Sequence, residues 1–142
     1  MKKIQTRRNE KGQSFVEMAV SFSILLVILA GLLDIGTMFF SSMALRDAAQ
    51  EGINYAISNP LDRPGIEARV RNATNSPLDL TDTSRATVNI TEAADPCLGT
   101  TVTVQITYVF ISDTPFFGTF FGSQNFPIMA QSSGTVASLK CN

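Results

Sequence analysis

Few side chains in this 142-residue sequence are suited to catalysis. Histidine is absent, and Lys140 is the only lysine after residue 12, so the usual general bases and amine nucleophiles are nearly missing. The oxygen-rich segment 79–84 lacks the ligand number and the glycine of a calcium loop. The sequence therefore predicts no enzyme, no metal site and no cofactor.

The two cysteines, Cys97 and Cys141, both lie in the C-terminal half of the chain. In an oxidising compartment they are expected to pair, whereas in the cytosol they would be free thiols. Two strands are predicted between them, at 100–110 and 126–137. If these strands pair antiparallel, the residues just outside them come together, which predicts a Cys97–Cys141 disulfide in an exported protein.

Charge is segregated along the chain. Residues 1–12 contain five basic residues and one acidic residue, a net charge of +4. Because the whole chain carries −1, the remainder carries −5. This distribution argues against a nucleic-acid-binding face.

A long apolar segment follows the basic residues. No charge occurs from Met18 to Leu33, and the chain is uncharged again from Ile35 to Leu45. About 20 apolar residues are enough to span a bilayer core of about 30 Å. The basic cluster precedes the span, so the positive-inside rule places the N-terminus in the cytoplasm and the rest outside. Since Glu17 interrupts the start of the apolar segment, a cleaved secretory signal fits less well.

Two acidic residues lie close to this span. Glu17 and Asp34 are about 25 Å apart along a helix, so they can occupy opposite interfaces of the bilayer. A buried role in helix packing is the alternative for Asp34. Both interpretations of Asp34 remain open on the sequence alone.

The basic leader ends at Gly12, and Glu17 is the fifth residue counted from Gln13. This arrangement resembles the prepilin-peptidase site of type IV pilin-like proteins. The resemblance implies cleavage between Gly12 and Gln13, and it implies that Glu17 pairs with the new N-terminal ammonium of a neighbouring subunit. The alternative is an uncleaved signal anchor in which Glu17 is an interfacial acid.

The helix beyond the leader resembles the TadE-like family more closely. Members typically contain G-Q-x-x-V-E-F-A, then an acid-x-G step, and later a segment like A-A-x-E-G-A-R-Y-A. The matching positions are Gly12, Gln13, Val16, Glu17, Ala19, Asp34, Gly36, Ala48, Ala49, Glu51, Gly52, Tyr55 and Ala56. Met18 replaces the usual phenylalanine, and Ile53-Asn54 replaces the usual Ala-Arg pair.

The TadE-like resemblance implies a structural minor pseudopilin of the bacterial inner membrane, acting in assembly or priming of a tight-adherence (Flp, type IVc) pilus. Its implied partners are a prepilin peptidase, other pseudopilins, the pilus assembly platform proteins and the lipid bilayer. The alternative function is an unprocessed, single-pass anchored protein whose extracytoplasmic head binds a partner or senses a ligand.

Three regions are predicted along the chain: a cytoplasmic leader at 1–12, a long helix at 13–58 with a membrane-spanning N-terminal half, and an extracytoplasmic head at 59–142. The helix is expected to end at Asn59-Pro60, because proline cannot continue a helix and disfavours helix in the residue before it.

The predicted head has an α+β composition. Residues 65–73 are expected to form a short helix with Ile66, Val70 and Ala73 on one face. Three strands follow, at 85–92, 100–110 and 126–137, and the second has Val102, Val104, Ile106, Tyr108 and Phe110 on one side. A long helix followed by a small antiparallel sheet is a pilin-like α+β fold.

Two further features of the sequence allow alternative interpretations. Ala44, Ala48, Gly52 and Ala56 recur every four residues, which favours close packing of the helix on its own sheet over a contact between subunits. An aromatic doublet is repeated at Phe116, Phe117, Phe120 and Phe121. This predicted contact loop can pack on the core of the head, enter the membrane interface or bind another pseudopilin.

Overall fold

The computed structural model describes residues 10–92, 98–112, 118 and 122–137. The elements, in chain order, are α1 (Glu10–Ala56), α2 (Arg63–Asn72), β1 (Ala86–Glu92), β2 (Thr101–Ile111) and β3 (Asn125–Thr135). A long helix, a short helix and a three-stranded antiparallel sheet confirm the predicted α+β class.

Helix α1 is 47 residues long and therefore extends for about 70 Å. It ends at Ala56, slightly before the predicted boundary at Ser58. The backbone amides of Ser58 and Asn59 both donate to the carbonyl of Tyr55, at 3.2 and 3.0 Å, which tightens the chain into a turn. Pro60 follows this turn and prevents the helix from continuing.

Helix α2 begins at a well-formed N-cap. The Asp62 carboxylate accepts a hydrogen bond from the backbone amide of Gly65 at 3.1 Å, and Pro64 occupies the first turn, where its missing amide is not needed. A Cβ at Gly65 would overlap the Asp62 carboxylate, so a larger residue would displace the group that caps the helix. Ile66 and Val70 are buried as predicted, whereas Ala73 lies at the C-cap and is exposed.

The three strands form one antiparallel sheet with β2 in the centre. Side chains alternate along β2, and one face of the strand is buried: Val102, Val104, Ile106 and Tyr108, with Phe110 partly buried beside them. The alternation predicted from the sequence is therefore confirmed, because successive strand residues point to opposite faces.

The C-terminal half of α1 packs directly on this buried face. Ala48 and Ala56 are fully buried, and a Cβ at Gly52 would lie 2.5 Å from Val70 and 3.4 Å from Val104. The close approach continues at Gly134 of β3, where a Cβ would lie 2.8 Å from Ile53. The strip of small residues therefore packs within the head, as the sequence favoured.

Candidate functional site

The N-terminal half of α1 is largely exposed in the part of the chain that the structure describes. None of its most apolar 18-residue window is buried, and the mean hydropathy of that window is 2.4. The exposed large side chains are Phe15, Val16, Met18, Val20, Phe22, Ile24, Leu25, Leu26, Val27, Ile28, Leu29, Leu32 and Leu33. A helix that is apolar on all sides is typical of a membrane span, and by length and composition α1 can cross a bilayer.

The predicted processing residues lie at the start of this apolar segment. Gly12 is exposed, and a Cβ at its position would meet nothing within 4 Å. The side-chain amide of Gln13 donates to the Glu17 carboxylate at 3.3 Å, and both side chains are exposed. Residues four apart on a helix are neighbours, so the structure brings Gln13 and Glu17 together on one face.

Asp34 lies where the exposed half of α1 meets the head. Only 9% of Asp34 is exposed, and its Oδ2 accepts a hydrogen bond of 2.6 Å from the hydroxyl of Ser112. Ser112 follows β2 directly, and its backbone amide donates to the carbonyl of Gln124 at 3.0 Å. The sheet therefore holds the serine against the helix, and Asp34 is a contact between anchor and head.

Sequence reasoning singled out Asp34 but missed Ser112. A serine after a strand carries no pattern of its own, and only the pairing of the sheet with α1 brings it beside the acid. The signal that was present is the acid itself, since a carboxyl group in a long apolar segment requires a polar partner.

A stripe of residues on α1 continues this contact into the head. Asp34, Ser41, Leu45 and Ala48 are all buried, and their spacings of seven, four and three residues keep them on one side of the helix. The Ser41 hydroxyl has no hydrogen-bond partner within the described part of the chain. The stripe shows that the head begins to cover α1 well before the helix ends.

Charged side chains stabilise the head away from this junction. Arg63 of α2 donates to Glu92 of β1 at 2.8 Å and joins the short helix to the edge of the sheet. The Tyr55 hydroxyl donates to Asp62 at 2.7 Å, and this hydrogen bond raises the pKa of Tyr55. Arg69 lies over the Tyr55 ring, with its guanidinium carbon 5.2 Å from the ring centre. The two contacts of Tyr55 attach α2 to α1.

The oxygen-rich segment 79–84 forms two local turns. Asp79 accepts hydrogen bonds from the hydroxyl and backbone amide of Thr81, and Asp82 accepts the same pair from Ser84. Each serine or threonine hydroxyl lowers the pKa of the aspartate that it contacts. Within the described ranges, no group of three or more acidic, cysteine or histidine residues is arranged to hold a metal.

Several predicted features lie outside the described residues. These are the Cys97–Cys141 disulfide and the contact loop of Phe116, Phe117, Phe120 and Phe121. Described residues between the two cysteines do pair: the Gly99 amide donates to the Val136 carbonyl at 3.0 Å, and the Val136 amide donates to the Thr100 carbonyl at 2.9 Å. The disulfide stays a prediction.

Comparison with known proteins bears on the helix. The family model described as TadE-like protein matches residues 12–53, which lie within α1. No curated protein and no solved structure gives a significant match to the chain. The match covers the predicted processing residues, the apolar segment, Asp34 and most of the small-residue strip. It confirms the predicted resemblance and identifies residues 12–53 as a TadE-like segment.

Proposed function

We propose that this protein is a structural minor pseudopilin that acts in the assembly or priming of a tight-adherence pilus. The observation that carries this proposal is α1, in which a TadE-like segment coincides with an apolar helix exposed on every side and continuous with a folded head. The family match supports a role associated with a Tad pilus and a membrane-anchored component. TadE-like pilus proteins are structural proteins.

The proposed orientation follows from charge. The five basic residues before residue 12 stay in the cytoplasm, the apolar part of α1 crosses the bacterial inner membrane once, and the head lies outside. In that compartment Cys97 and Cys141 would meet oxidising conditions.

Processing is the second part of the proposal. A prepilin peptidase cleaves between Gly12 and Gln13, and the mature chain then starts four residues before Glu17 on the same helix. The exposure of Gly12 and Gln13 supports this step, because a membrane-facing protease needs access to the bond.

The mass of the mature N-terminus, measured on protein from the native envelope, tests this function against an unprocessed anchor. A pseudopilin begins at Gln13, and deletion of its gene reduces the number of surface pili. If the protein begins at Met1 and deletion of its gene leaves the pili unchanged, the alternative function remains: an unprocessed anchored protein whose head binds a partner or senses a ligand.

A further inference from the structure

A second apolar surface lies on α1 beside the head. It consists of four large side chains that are 49% to 65% exposed: Ile35, Phe39, Phe40 and Met43. The rings of Phe39 and Phe40 meet edge to face, with centroids 6.4 Å apart. At this level of the helix Asp34, Ser41 and Leu45 are buried, so the four side chains lie on the opposite, exposed side of α1.

The length of the uncharged helix surface indicates what covers these four side chains. From Glu17 to Asp34 the helix rises about 25 Å, which is shorter than a bilayer core of about 30 Å. From Glu17 to Arg46, the next charged residue after Asp34, it rises about 44 Å, which matches the 40 to 45 Å of a bilayer with both interfaces. The apolar surface is continuous over this longer distance.

Asp34 is compatible with such a depth because the head shields it. A carboxyl group exposed to hydrocarbon is energetically unfavourable, and acids inside spans face a protein interior instead. Here the acid is buried and accepts a hydrogen bond from Ser112. The head thus covers the polar side of the helix, and the opposite side remains apolar.

We propose that Ile35, Phe39, Phe40 and Met43 contact lipid at the extracytoplasmic interface of the bilayer. The Ser112 end of the head then lies within the bilayer beside Asp34, and the head does not stand above the membrane on a bare length of helix. Continuity with the span and the position of Arg46 favour lipid over a protein partner. This inference requires α1 to be a membrane span, and it requires neither cleavage after Gly12 nor assembly into a pilus.

The natural chain contains no tryptophan, so a single introduced tryptophan reports on its own depth. The test variant is Phe40→Trp, with Phe39→Trp as a second probe of the same face. Leu29→Trp, near the middle of the apolar segment, and Met129→Trp, exposed on β3, are the deep and aqueous controls. Each full-length variant is placed in phosphatidylcholine vesicles whose acyl chains carry bromine at defined positions, after circular dichroism has confirmed its fold.

Bromines close to the glycerol group should quench Phe40→Trp most strongly, bromines near the chain end should quench Leu29→Trp, and only aqueous iodide should quench Met129→Trp. If Phe39→Trp and Phe40→Trp respond to iodide and not to bromine, the proposal is wrong. The proposal is also wrong if neither bromine nor iodide quenches these two tryptophans at a high ratio of protein to lipid, and quenching appears only when more lipid is added. That result would show that a second copy of the protein covers the four side chains.

Discussion

Gly12 occupies an exposed position where the fold tolerates a side chain, since a Cβ there meets nothing within 4 Å. Any effect of a larger residue on processing therefore reports on the peptidase. We expect Gly12→Leu to accumulate as a precursor that retains residues 1–12, as measured by intact mass. Gly31→Leu is the matched control, because a Cβ at Gly31 also meets nothing within 4 Å. Normal cleavage of Gly12→Leu would contradict the assigned site.

Glu17 is predicted to act in assembly and not in processing. Cleavage would create an ammonium group at the backbone nitrogen of Gln13, whose side-chain amide already donates to Glu17 in the folded helix. Two unpaired charges in an apolar layer would each cost several kcal/mol, so pairing between subunits would fix their axial register.

We expect Glu17→Gln to be cleaved and inserted normally and to reduce the number of surface pili severalfold. Mature N-terminal mass and pilus counts from one strain measure both effects. Asp47→Asn, a substitution of the same kind at an exposed position of α1 within the head, should leave pilus numbers unchanged. Normal piliation in Glu17→Gln, or a block in cleavage, would refute the role.

The predicted processing residues and the Asp34–Ser112 contact differ in how far the sequence predicted them. Gly12 and Glu17 are recognisable from spacing, because leader length and the position of an acid are properties of a linear chain. The Asp34–Ser112 contact joins residues 78 positions apart, and no local pattern predicts it. The two interpretations of Asp34 differ by a tertiary contact, which the sequence alone does not specify.

At the scale of elements, the close packing of α1 on the sheet depends on Gly52. A side chain there would overlap Val70 of α2 and press on Val104 of β2. We expect Gly52→Val to destabilise the head by about 1 to 3 kcal/mol, the usual cost of overpacking a core. Urea unfolding in detergent, followed by circular dichroism, measures the change. Asn54→Val on the exposed side of the same helix is the control, and an equal loss in both variants would exclude overpacking as the cause.

The turns at 79–84 predict how stability depends on pH. The pKa values of Asp79 and Asp82 are lowered in the folded state, chiefly by the hydroxyls of Thr81 and Ser84. A carboxyl group with a lowered folded pKa stabilises the fold above its unfolded pKa, near 3.9, and this stabilisation is lost as pH falls through the folded pKa.

The thermal midpoint of the wild type should therefore fall between pH 5 and pH 2, by more than that of the double variant Asp79→Asn, Asp82→Asn. Asparagine can still accept the hydrogen bonds but does not titrate. Thr83→Ala alters the same loop without removing a carboxylate and should follow the wild type. If the thermal midpoints of the wild type and the double variant fall by the same amount as the pH is lowered, the two aspartates do not contribute to the acid sensitivity.

The elements were more predictable than their contacts. Helix α1 follows from a long segment without proline, and the strands follow from alternation of β-branched and polar residues. The ends of the helices were less predictable: α1 stops at Ala56, where the Tyr55 carbonyl accepts two later amides, and Ala73 is the exposed cap of α2. Such ends are set by individual hydrogen bonds, which the periodicity of the sequence does not encode.

At the scale of the whole molecule, the predicted Cys97–Cys141 disulfide would close a loop of about 45 residues and stabilise the head by about 4 kcal/mol in the chain-entropy model. Its described neighbours Gly99 and Val136 are already hydrogen-bonded. We expect protein from the envelope to contain no alkylatable thiol, and reduction to lower its thermal midpoint. The variant with both cysteines replaced by serine should match the reduced protein. Two free thiols before reduction would rule out the bridge.

The continuity of helix α1 couples rotation of the anchor to the orientation of the head. One unbroken helix contains the apolar segment and, from Asp34 onward, a wall of the head, so the described chain has no flexible joint between anchor and head. Turning the helix about its own axis by one residue, about 100°, therefore swings the whole sheet around the axis by the same angle. The side of the anchor that a neighbouring helix selects within the membrane would thus decide the direction in which the head faces outside.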